Sequence, residues 1–192
     1  MTLQGATGDS DALLVRRTRA GDTRAFGILV ERYMRRAYYA ALGLVGSSED
    51  ALDLSQEAFV RAFRARHTID PDRPFYAWLY QIIRRLCFNH TRDRRTRRRG
   101  IEAAGDWLVE QATSRTAGMR PDRALEQAEA RRRVAAALES LSDRDREVLV
   151  LKEFEGLRYR EIAEILGVPI GTVMSRLYSA RRRLAAALEE DR

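Results

Sequence analysis

Aromatic and basic side chains are concentrated in residues 75–99, FYAWLYQIIRRLCFNHTRDRRTRRR. If this stretch is helical, Tyr76, Tyr80 and Arg84 share one face at i, i+4 and i+8. Tyrosines beside arginines suit unpaired nucleic-acid bases, because the rings stack on bases while guanidinium groups neutralise phosphates. The pattern alone leaves two interpretations of both tyrosines open, a stacking surface or ordinary core.

An apolar stripe on the same stretch is expected to face inward. It consists of Phe75, Leu79, Ile82, Ile83 and Leu86. Trp78 adjoins this stripe, so its ring is expected to be buried, to stack on a base, or both. The arginines from Arg92 to Arg99 favour phosphate contact over a merely solvated helix end.

A second basic surface is predicted in residues 167–184, GVPIGTVMSRLYSARRRL. Its apolar residues Val173, Leu177, Ala180 and Leu184 recur at i, i+4, i+7 and i+11 and define a buried face. A short helix, a glycine turn and a longer helix with polar and basic residues outward are typical of a helix-turn-helix, whose second helix enters the major groove. The alternative is an αα-hairpin with a solvated basic face.

Residues 53–64, DLSQEAFVRAFR, do not suit nucleic acid. The helical pattern buries Leu54, Ala58, Phe59 and Phe63. It leaves Asp53, Gln56 and Glu57 outside, a short acidic patch that favours a protein partner with basic residues. A plain solvated face is the alternative interpretation.

Residue sets for catalysis or metal binding are missing from the pattern. Cys87 and His90 lie at i, i+3 and form one pair of candidate zinc ligands, but the sequence has no second pair. His67 is predicted in a loop. We therefore expect no catalytic residues, no metal and no cofactor.

The charge balance points to a polyanionic partner. The 192 residues include 35 Lys or Arg and 28 Asp or Glu, a formal net charge of +7, and Lys152 is the only lysine. Arginine forks match phosphate oxygens and base edges. The N-terminus lacks a signal-peptide pattern and no stretch is long enough to span a bilayer, so a cytoplasmic protein is expected.

These motifs must be positioned by helices, because apolar residues recur at helical spacing with almost no period-2 alternation. The predicted fold class is all-α, with two small helical domains joined by a flexible linker and a helix-turn-helix in the second. Asp22, Ser142 and either Ser47 or Ser48 are placed to cap helices. The predicted boundaries are a disordered N-terminus over 1–12, a first domain over 13–99, a linker over 100–121 with an optional short helix near 106–112, and a second domain over 122–192.

The order of these motifs resembles the sigma-70 family of bacterial RNA polymerase initiation factors, specifically its small extracytoplasmic-function group. DLSQEAF at 53–59, FYAWL at 75–79 and the stretch over 138–184 carry the resemblance, which spans roughly residues 13–188. It implies a factor that binds core RNA polymerase and directs promoter-specific initiation, with double-stranded DNA recognised at −35 and single-stranded DNA at −10. An anti-sigma partner is expected by family analogy only.

The resemblance also assigns roles to residues. It implies that Asp53, Gln56, Glu57 and Phe59 dock on the clamp helices of the largest polymerase subunit. The implied −10 contacts, in the loop over 67–74 and the helix after it, are His67, Tyr76, Trp78, Tyr80, Arg84, Arg85, Asn89 and Arg92. The implied −35 contacts are Thr172, Met174, Ser175, Tyr178, Ser179, Arg181 and Arg182.

Three residues depart from the family pattern. Arg85 stands where members often have Asn, Asn89 where they often have Asp, and Met174 where they often have Lys or Arg. Met cannot form a bidentate bond to guanine, so a different −35 preference is expected. A stand-alone helix-turn-helix regulator is the alternative function, but it leaves the first domain unexplained.

Overall fold

The computed structural model describes residues 9–104 and 121–190. Within these ranges the fold is all-α with no strand, which confirms the predicted fold class. The N-terminal helices are α1 (Asp11–Arg19), α2 (Thr23–Val45), α3 (Ser48–Arg64) and α4 (Phe75–Ala104), with a 3-10 turn at Arg66–Thr68. The C-terminal helices are α5 (Pro121–Ser140), α6 (Asp143–Leu149), a π-helical turn at Val150–Phe154, α7 (Tyr159–Leu166) and α8 (Ile170–Glu190).

Three of the residues predicted to cap helices are N-cap residues in the structure. The Asp22 carboxylate accepts from the backbone N–H of Arg24 at 2.9 Å and starts α2. Ser47 and Ser142 cap α3 and α6 in the same way. Because each cap satisfies an N–H group that lacks a partner in the helix, these short polar side chains fix where the helices begin.

The N-terminal residues before Leu13 are more ordered than predicted. Ser10 caps α1, and the Asp11 carboxylate accepts hydrogen bonds from Arg32 and from the Tyr33 hydroxyl, both on α2. The prediction of disorder through residue 12 is therefore wrong for residues 9–12, because contacts with a distant helix hold them. Residues 1–8 lie outside the described part of the chain.

Helices α1 to α4 enclose an apolar core. Its fully buried members include Leu14, Leu29, Leu44, Leu79 and Ile83. Helix α4 extends past the predicted domain boundary at residue 99 to Ala104. The remainder of the predicted linker up to residue 120, with its optional short helix, lies outside the described residues.

The two helical sets pack against each other, an arrangement that the prediction of two linked domains did not contain. Gly43 of α2 contacts Val150 so closely that a Cβ built at Gly43 would lie 2.7 Å from Val150 Cγ2. Buried residues of both sets belong to one continuous hydrophobic cluster. A glycine on α2 thus leaves room for the Val150 side chain of the C-terminal set.

Arg146 joins the same two sets through backbone carbonyls. Its side chain is buried, and its guanidinium donates to the carbonyl oxygens of Leu44 at 2.9 Å and Leu138 at 2.7 Å. It donates a further bond to the Glu139 carbonyl at 2.8 Å. Since Leu44 lies near the end of α2 and the other two near the end of α5, one cation satisfies the carbonyls of two helix C-termini. Burial lowers the pKa of Arg146.

Candidate nucleic-acid interface

Helices α7 and α8 form the predicted helix-turn-helix. Gly167 ends α7 in the left-handed conformation, with φ of 63°, and provides the tight turn. Val173, Leu177 and Ala180 are buried and pack with Ile162 of α7. The predicted orientation of α8 is confirmed, because its apolar stripe faces the domain and its polar residues face outward.

Five of the seven predicted −35 residues are exposed on the outer face of α8, and the other two are half-buried. The exposed residues are Met174, Ser175, Tyr178, Arg181 and Arg182, and the half-buried ones are Thr172 and Ser179. Met174 and Tyr178 are 53% and 65% exposed, so large apolar and aromatic surface lies open on this helix. With Ile170, 41% exposed, they form a row at i, i+4 and i+8.

The basic residues at the middle of α8 are held by neighbours. Arg181 Nη2 donates to Glu153 Oε1 at 2.6 Å, and this hydrogen bond raises the pKa of Arg181. The Arg182 guanidinium lies 5.8 Å from the centre of the Tyr178 ring. Both guanidinium groups remain at the surface, where an exposed ion pair such as that of Arg181 with Glu153 contributes little stability.

Helix α4 buries the predicted apolar stripe. It also buries Tyr76 and Tyr80, which favours the interpretation of both tyrosines as core over that of a stacking surface. Phe75, Leu79 and Ile83 are fully buried, while Tyr76 is 4% and Tyr80 0% exposed. The exposed stacking surface at the two tyrosines is therefore absent from this arrangement. The rings are covered because residues of the C-terminal set lie against this face of α4, a contact that no spacing along α4 could indicate.

Tyr76 belongs to a cluster that we call the Glu155 site, formed by Arg36, Tyr76 and Glu155. The Tyr76 hydroxyl donates to Glu155 Oε1 at 2.8 Å, and Arg36 Nε donates to Glu155 Oε2 at 2.9 Å. The Arg36 guanidinium lies 3.5 Å from the centre of the Tyr76 ring. Burial raises the pKa of Glu155, while the hydrogen bonds from Arg36 and Tyr76 lower it. Burial also raises the pKa of Tyr76.

A second cluster, the Glu147 site, is formed by Tyr80, Arg84 and Glu147. The Tyr80 hydroxyl donates to Glu147 Oε1 at 3.4 Å, and Arg84 Nε donates to the same oxygen. Burial raises the pKa of Glu147, while the bonds from Arg84 and Tyr80 and the charge of Arg176 lower it. Burial also raises the pKa of Tyr80. Glu147 lies on α6, and Glu155 directly follows the π-helical turn.

The other predicted −10 residues divide by exposure. Trp78 is half-buried, with its ring 6.0 Å from that of Phe75, so it contacts the core and stays partly accessible. The remaining four are exposed: His67, Arg85, Asn89 and Arg92. Arg36 was missed by the sequence reasoning, because it lies on α2 and joins this group only through the packing of α2 on α4.

Of the residues predicted for the docking patch on α3, only the polar ones lie at the surface. Asp53 and Gln56 are exposed and Glu57 is half-buried, with Glu57 accepting from Arg61 Nε at 2.7 Å. Phe59, assigned to the patch by family resemblance, is 6% exposed and packs on Phe26, so it supports the helix from beneath.

Two apolar residues complete the α3 face and were missed from the sequence. Leu52 and Val60 are 48% and 45% exposed, and with Gln56 they form a row at i, i+4 and i+8. Leu and Val lying unpartnered beside an acidic patch are typical of a protein interface with an apolar centre and a charged rim. The signal was present in the spacing, since neither residue belongs to the buried stripe.

The described residues contain no group of three or more His, Cys, Asp or Glu side chains that could hold a metal ion. Cys87 is buried, and His90 Nε2 lies 3.3 Å from Asp50 Oδ2. Among the described helices, none combines the length and apolar character needed to cross a membrane.

A helix-turn-helix with an exposed polar helix, joined to a four-helix set with exposed arginines on α4, defines a DNA-binding protein of two helical regions. Two family descriptions match the chain, Sigma-70 region 2 over residues 29–97 and Sigma-70 region 4 over residues 131–184. The chain is 35% identical to the RNA polymerase sigma-H factor of Pseudomonas aeruginosa over 95% of this chain and 96% of that protein. It is 34% identical to the ECF RNA polymerase sigma-E factor of Escherichia coli over 91% and 92%.

Solved structures agree with these sequence matches. CnrH, in complex with the cytosolic domain of CnrY, is 30% identical with a TM-score of 0.67, over 96% of this chain and all of that one. The sigma factor RpoE of Bartonella quintana, in complex with the anti-sigma factor NepR, is 26% identical with a TM-score of 0.61, over 87% and 98%. The chain belongs to the sigma-70 family, in its ECF group. It binds core RNA polymerase and directs promoter-specific transcription initiation through the −10 and −35 elements.

Proposed function

We propose that three surfaces of this sigma factor divide the work of initiation. The α3 face docks on the clamp helices of the largest polymerase subunit, the α4 face binds the −10 strand, and the outer face of α8 recognises the −35 duplex. The observation that carries the proposal is the orientation of α8, whose apolar stripe is buried while Met174, Ser175 and Tyr178 are exposed. The chain brings no catalytic group to the reaction and acts in the cytoplasm, where the polymerase supplies the chemistry.

The α3 face suits a basic protein surface. Asp53 and Glu57 provide the charge, which steers association, and Leu52 and Val60 provide apolar area that becomes buried on binding. Nucleic acid is disfavoured at this face because carboxylates repel phosphates. Core polymerase is thus the partner whose chemistry the α3 face fits.

The α8 face suits the major groove. Residues near the start of a recognition helix reach base edges, whereas arginines further along contact phosphates. Ser175 donates its hydroxyl proton to the Thr172 carbonyl at 3.1 Å in the free protein and keeps its lone pairs free as acceptors. Met174 contacts bases through apolar surface, which favours the methyl group of thymine.

We assign the −10 role of α4 to two groups of residues, those that are accessible in this structure and those that the C-terminal region covers. Trp78 is partly accessible, and Arg85, Asn89 and Arg92 are directly accessible. Tyr76, Tyr80 and Arg84 join them once the C-terminal region moves off this face. An anti-sigma factor is a further partner of this chain, by analogy with the complexes of CnrH and RpoE.

The alternative of a stand-alone regulator gains no support, because the region 2 match over residues 29–97 accounts for the half of the chain that a regulator would leave unused. The decisive experiment is transcription of genomic DNA by core polymerase with and without the purified protein, with RNA 5′ ends mapped. New start sites that share two upstream elements are the expected result. An absence of protein-dependent starts would refute the proposed function.

Variants test each surface on the promoter so obtained. Asp53→Ala, Gln56→Ala and Glu57→Ala together are expected to weaken core binding without loss of helicity, since surface changes cost little stability. Glu31→Ala, an exposed acidic residue on α2, is the control. If the triple variant binds core polymerase as the wild type does, the patch is not the docking surface.

The −35 assignment has its own variants. Ser175→Ala and Tyr178→Ala are expected to change the sequence preference, measured on a −35 library. Arg182→Ala is expected to weaken binding to all sequences equally and to reduce the salt dependence by about one phosphate. The control is Arg19→Ala, which removes an equal charge from the exposed surface of α1. An unchanged preference in both α8 variants would contradict the assignment.

A further inference from the structure

The first three turns of α8, residues 170–180, carry almost no positive charge. We call this segment, IGTVMSRLYSA, the entering half of α8; it contains a single cation, Arg176, whereas three arginines follow it from Arg181 onward. A rise of 1.5 Å per residue puts Arg181 about 16 Å along the helix axis from Ile170. The major groove is only about 12 Å wide, so a helix that enters it with its N-terminus leaves these arginines at the phosphates.

Arg176, the cation of the entering half, is turned away from the outer face. Its side chain is half-buried, and the residues one turn before and after it, Val173 and Ala180, are fully buried. Its charge partly offsets the rise that burial causes in the pKa of Glu147 on α6. The orientation follows from helical geometry, because residues three and four positions apart share one side of a helix. The entering half therefore presents no guanidinium group to a base edge.

The outer face of the entering half is apolar along its length instead. Ile170, Met174 and Tyr178 are exposed one turn apart. Ser175 adds an acceptor, because its hydroxyl proton is donated to the Thr172 carbonyl at 3.1 Å. Apolar surface suits the C5 methyl group of thymine, and an acceptor suits the N6 amino group of adenine. An A·T pair matches both groups, whereas guanine presents two acceptors that a bidentate donor binds best.

Gly171 leaves room for the close contact that recognition of a methyl group needs, about 4–4.5 Å between carbon atoms. It precedes Met174 and Ser175 by three and four positions, so it lies on the same side of the helix, and it is exposed. Nothing lies within 4 Å of a Cβ built at Gly171, so packing inside the protein does not require a glycine there. The missing side chain lets the first turn of α8 approach a ligand closely.

We infer that the −35 elements of this factor present A·T pairs to the entering half of α8, recognised through thymine methyl groups, with no bidentate contact to guanine. The assignment of these bases rests on the proposed −35 role of α8 and adds the bases to it. The arginines from Arg181 onward supply affinity through phosphates, and phosphate contacts carry no sequence information. Discrimination among sequences is therefore left to the apolar and hydroxyl groups of the entering half.

Deoxyuridine tests the methyl contacts without any change to the protein. The probe is a promoter mapped as described above, bound by holoenzyme assembled from core polymerase and the full-length protein. Each −35 thymine is replaced singly by deoxyuridine, which pairs with adenine but lacks the methyl group. Replacement of a contacted thymine is expected to weaken binding about fourfold, the contribution of one buried group of this size. The same replacement in the spacer between the two elements is the control.

A gain of guanine recognition tests the missing cation. On a library of that promoter with randomised −35 positions, the wild-type holoenzyme is expected to select A·T pairs. Met174→Arg is expected to change one of these positions to guanine, with a preference of roughly tenfold, as one bidentate pair provides. Ala20→Arg adds the same charge at an exposed position that follows α1, and it is expected to leave the preference unchanged.

The outcomes separate failure of the base assignment from failure of the −35 role. Binding that is unchanged by every −35 deoxyuridine would overturn the inference, and this result does not depend on the folding of any variant. Selection of guanine by the wild type at the position that Met174→Arg alters would also overturn it, and the −35 role of α8 would stand. A wild-type holoenzyme that selects no −35 sequence would refute the −35 role itself.

Discussion

Gly43 offers the sharpest test of how the two regions pack. Both Gly43 and Gly27 lie on α2, and nothing lies within 4 Å of a Cβ built at Gly27. Replacing a helical glycine by alanine removes a backbone entropy cost of about 0.8–1.0 kcal/mol. Gly27→Ala is expected to stabilise the protein by up to that amount, while Gly43→Ala must in addition displace Val150.

The free-energy cost of Gly43→Ala follows from the distance between the new methyl group and Val150. The new methyl at position 43 would lie 2.7 Å from Val150 Cγ2, about 1 Å closer than ordinary carbon contact. Val150 is fully buried, and its β-branched side chain has few alternative rotamers. Overpacking of this kind costs about 1–3 kcal/mol. Gly43→Ala is therefore expected to be less stable than Gly27→Ala by about 1–3 kcal/mol.

The assay is urea denaturation of both variants, followed by circular dichroism, in the Val150 and the Val150→Ala backgrounds. Val150→Ala alone costs about 1.5 kcal/mol for two buried methyl groups. It also removes the two atoms that the new methyl would meet, so the penalty at position 43 is expected to vanish in the double variant. Equal stability of Gly43→Ala and Gly27→Ala in the Val150 background would show that α2 and the π-helical turn are not packed this way in solution.

Three further predictions concern stability and pH. Leu177→Ala is expected to destabilise the C-terminal region by about 2–5 kcal/mol in urea denaturation and Ser175→Ala by less than about 0.5 kcal/mol, and the reverse order would mean that α8 is rotated. Arg146→Met is expected to cost at least about 1–3 kcal/mol, the penalty for one buried acceptor without a donor, because four backbone carbonyls near helix ends lose the same guanidinium. Met at the exposed Arg144 is expected to change the unfolding midpoint little. Burial raises the pKa of Glu147 and Glu155 above 4.5, so the folded protein binds more protons at these groups than the unfolded chain. The stability that results is complete below about pH 4.5 and declines as the pH rises through the raised values, so in urea denaturation the wild type is expected to lose stability with rising pH relative to the Glu147→Ala, Glu155→Ala variant.

Local features of the structure could be predicted because they depend on residues close in the chain. The caps at Asp22, Ser47 and Ser142 satisfy N–H groups two or three residues away, so the sequence is sufficient to place them. The orientation of α8 follows from a period of 3.6 residues, which puts Leu177 inside and Ser175 outside whatever the helix packs against. The family motifs likewise lie within short segments.

Exposure of side chains at an interface between helices depends on partners far along the chain, and spacing carries no information about them. Tyr76 and Tyr80 have the pattern of an outward face, yet Glu155 and Glu147, 79 and 67 positions away, cover them. Arg36 enters the same face from α2 for the same reason. The sequence by itself determined the helices, their caps and the face of α8 that points outward. Only the tertiary structure decided that the C-terminal region covers the α4 face, because burial there results from the packing of one region on the other.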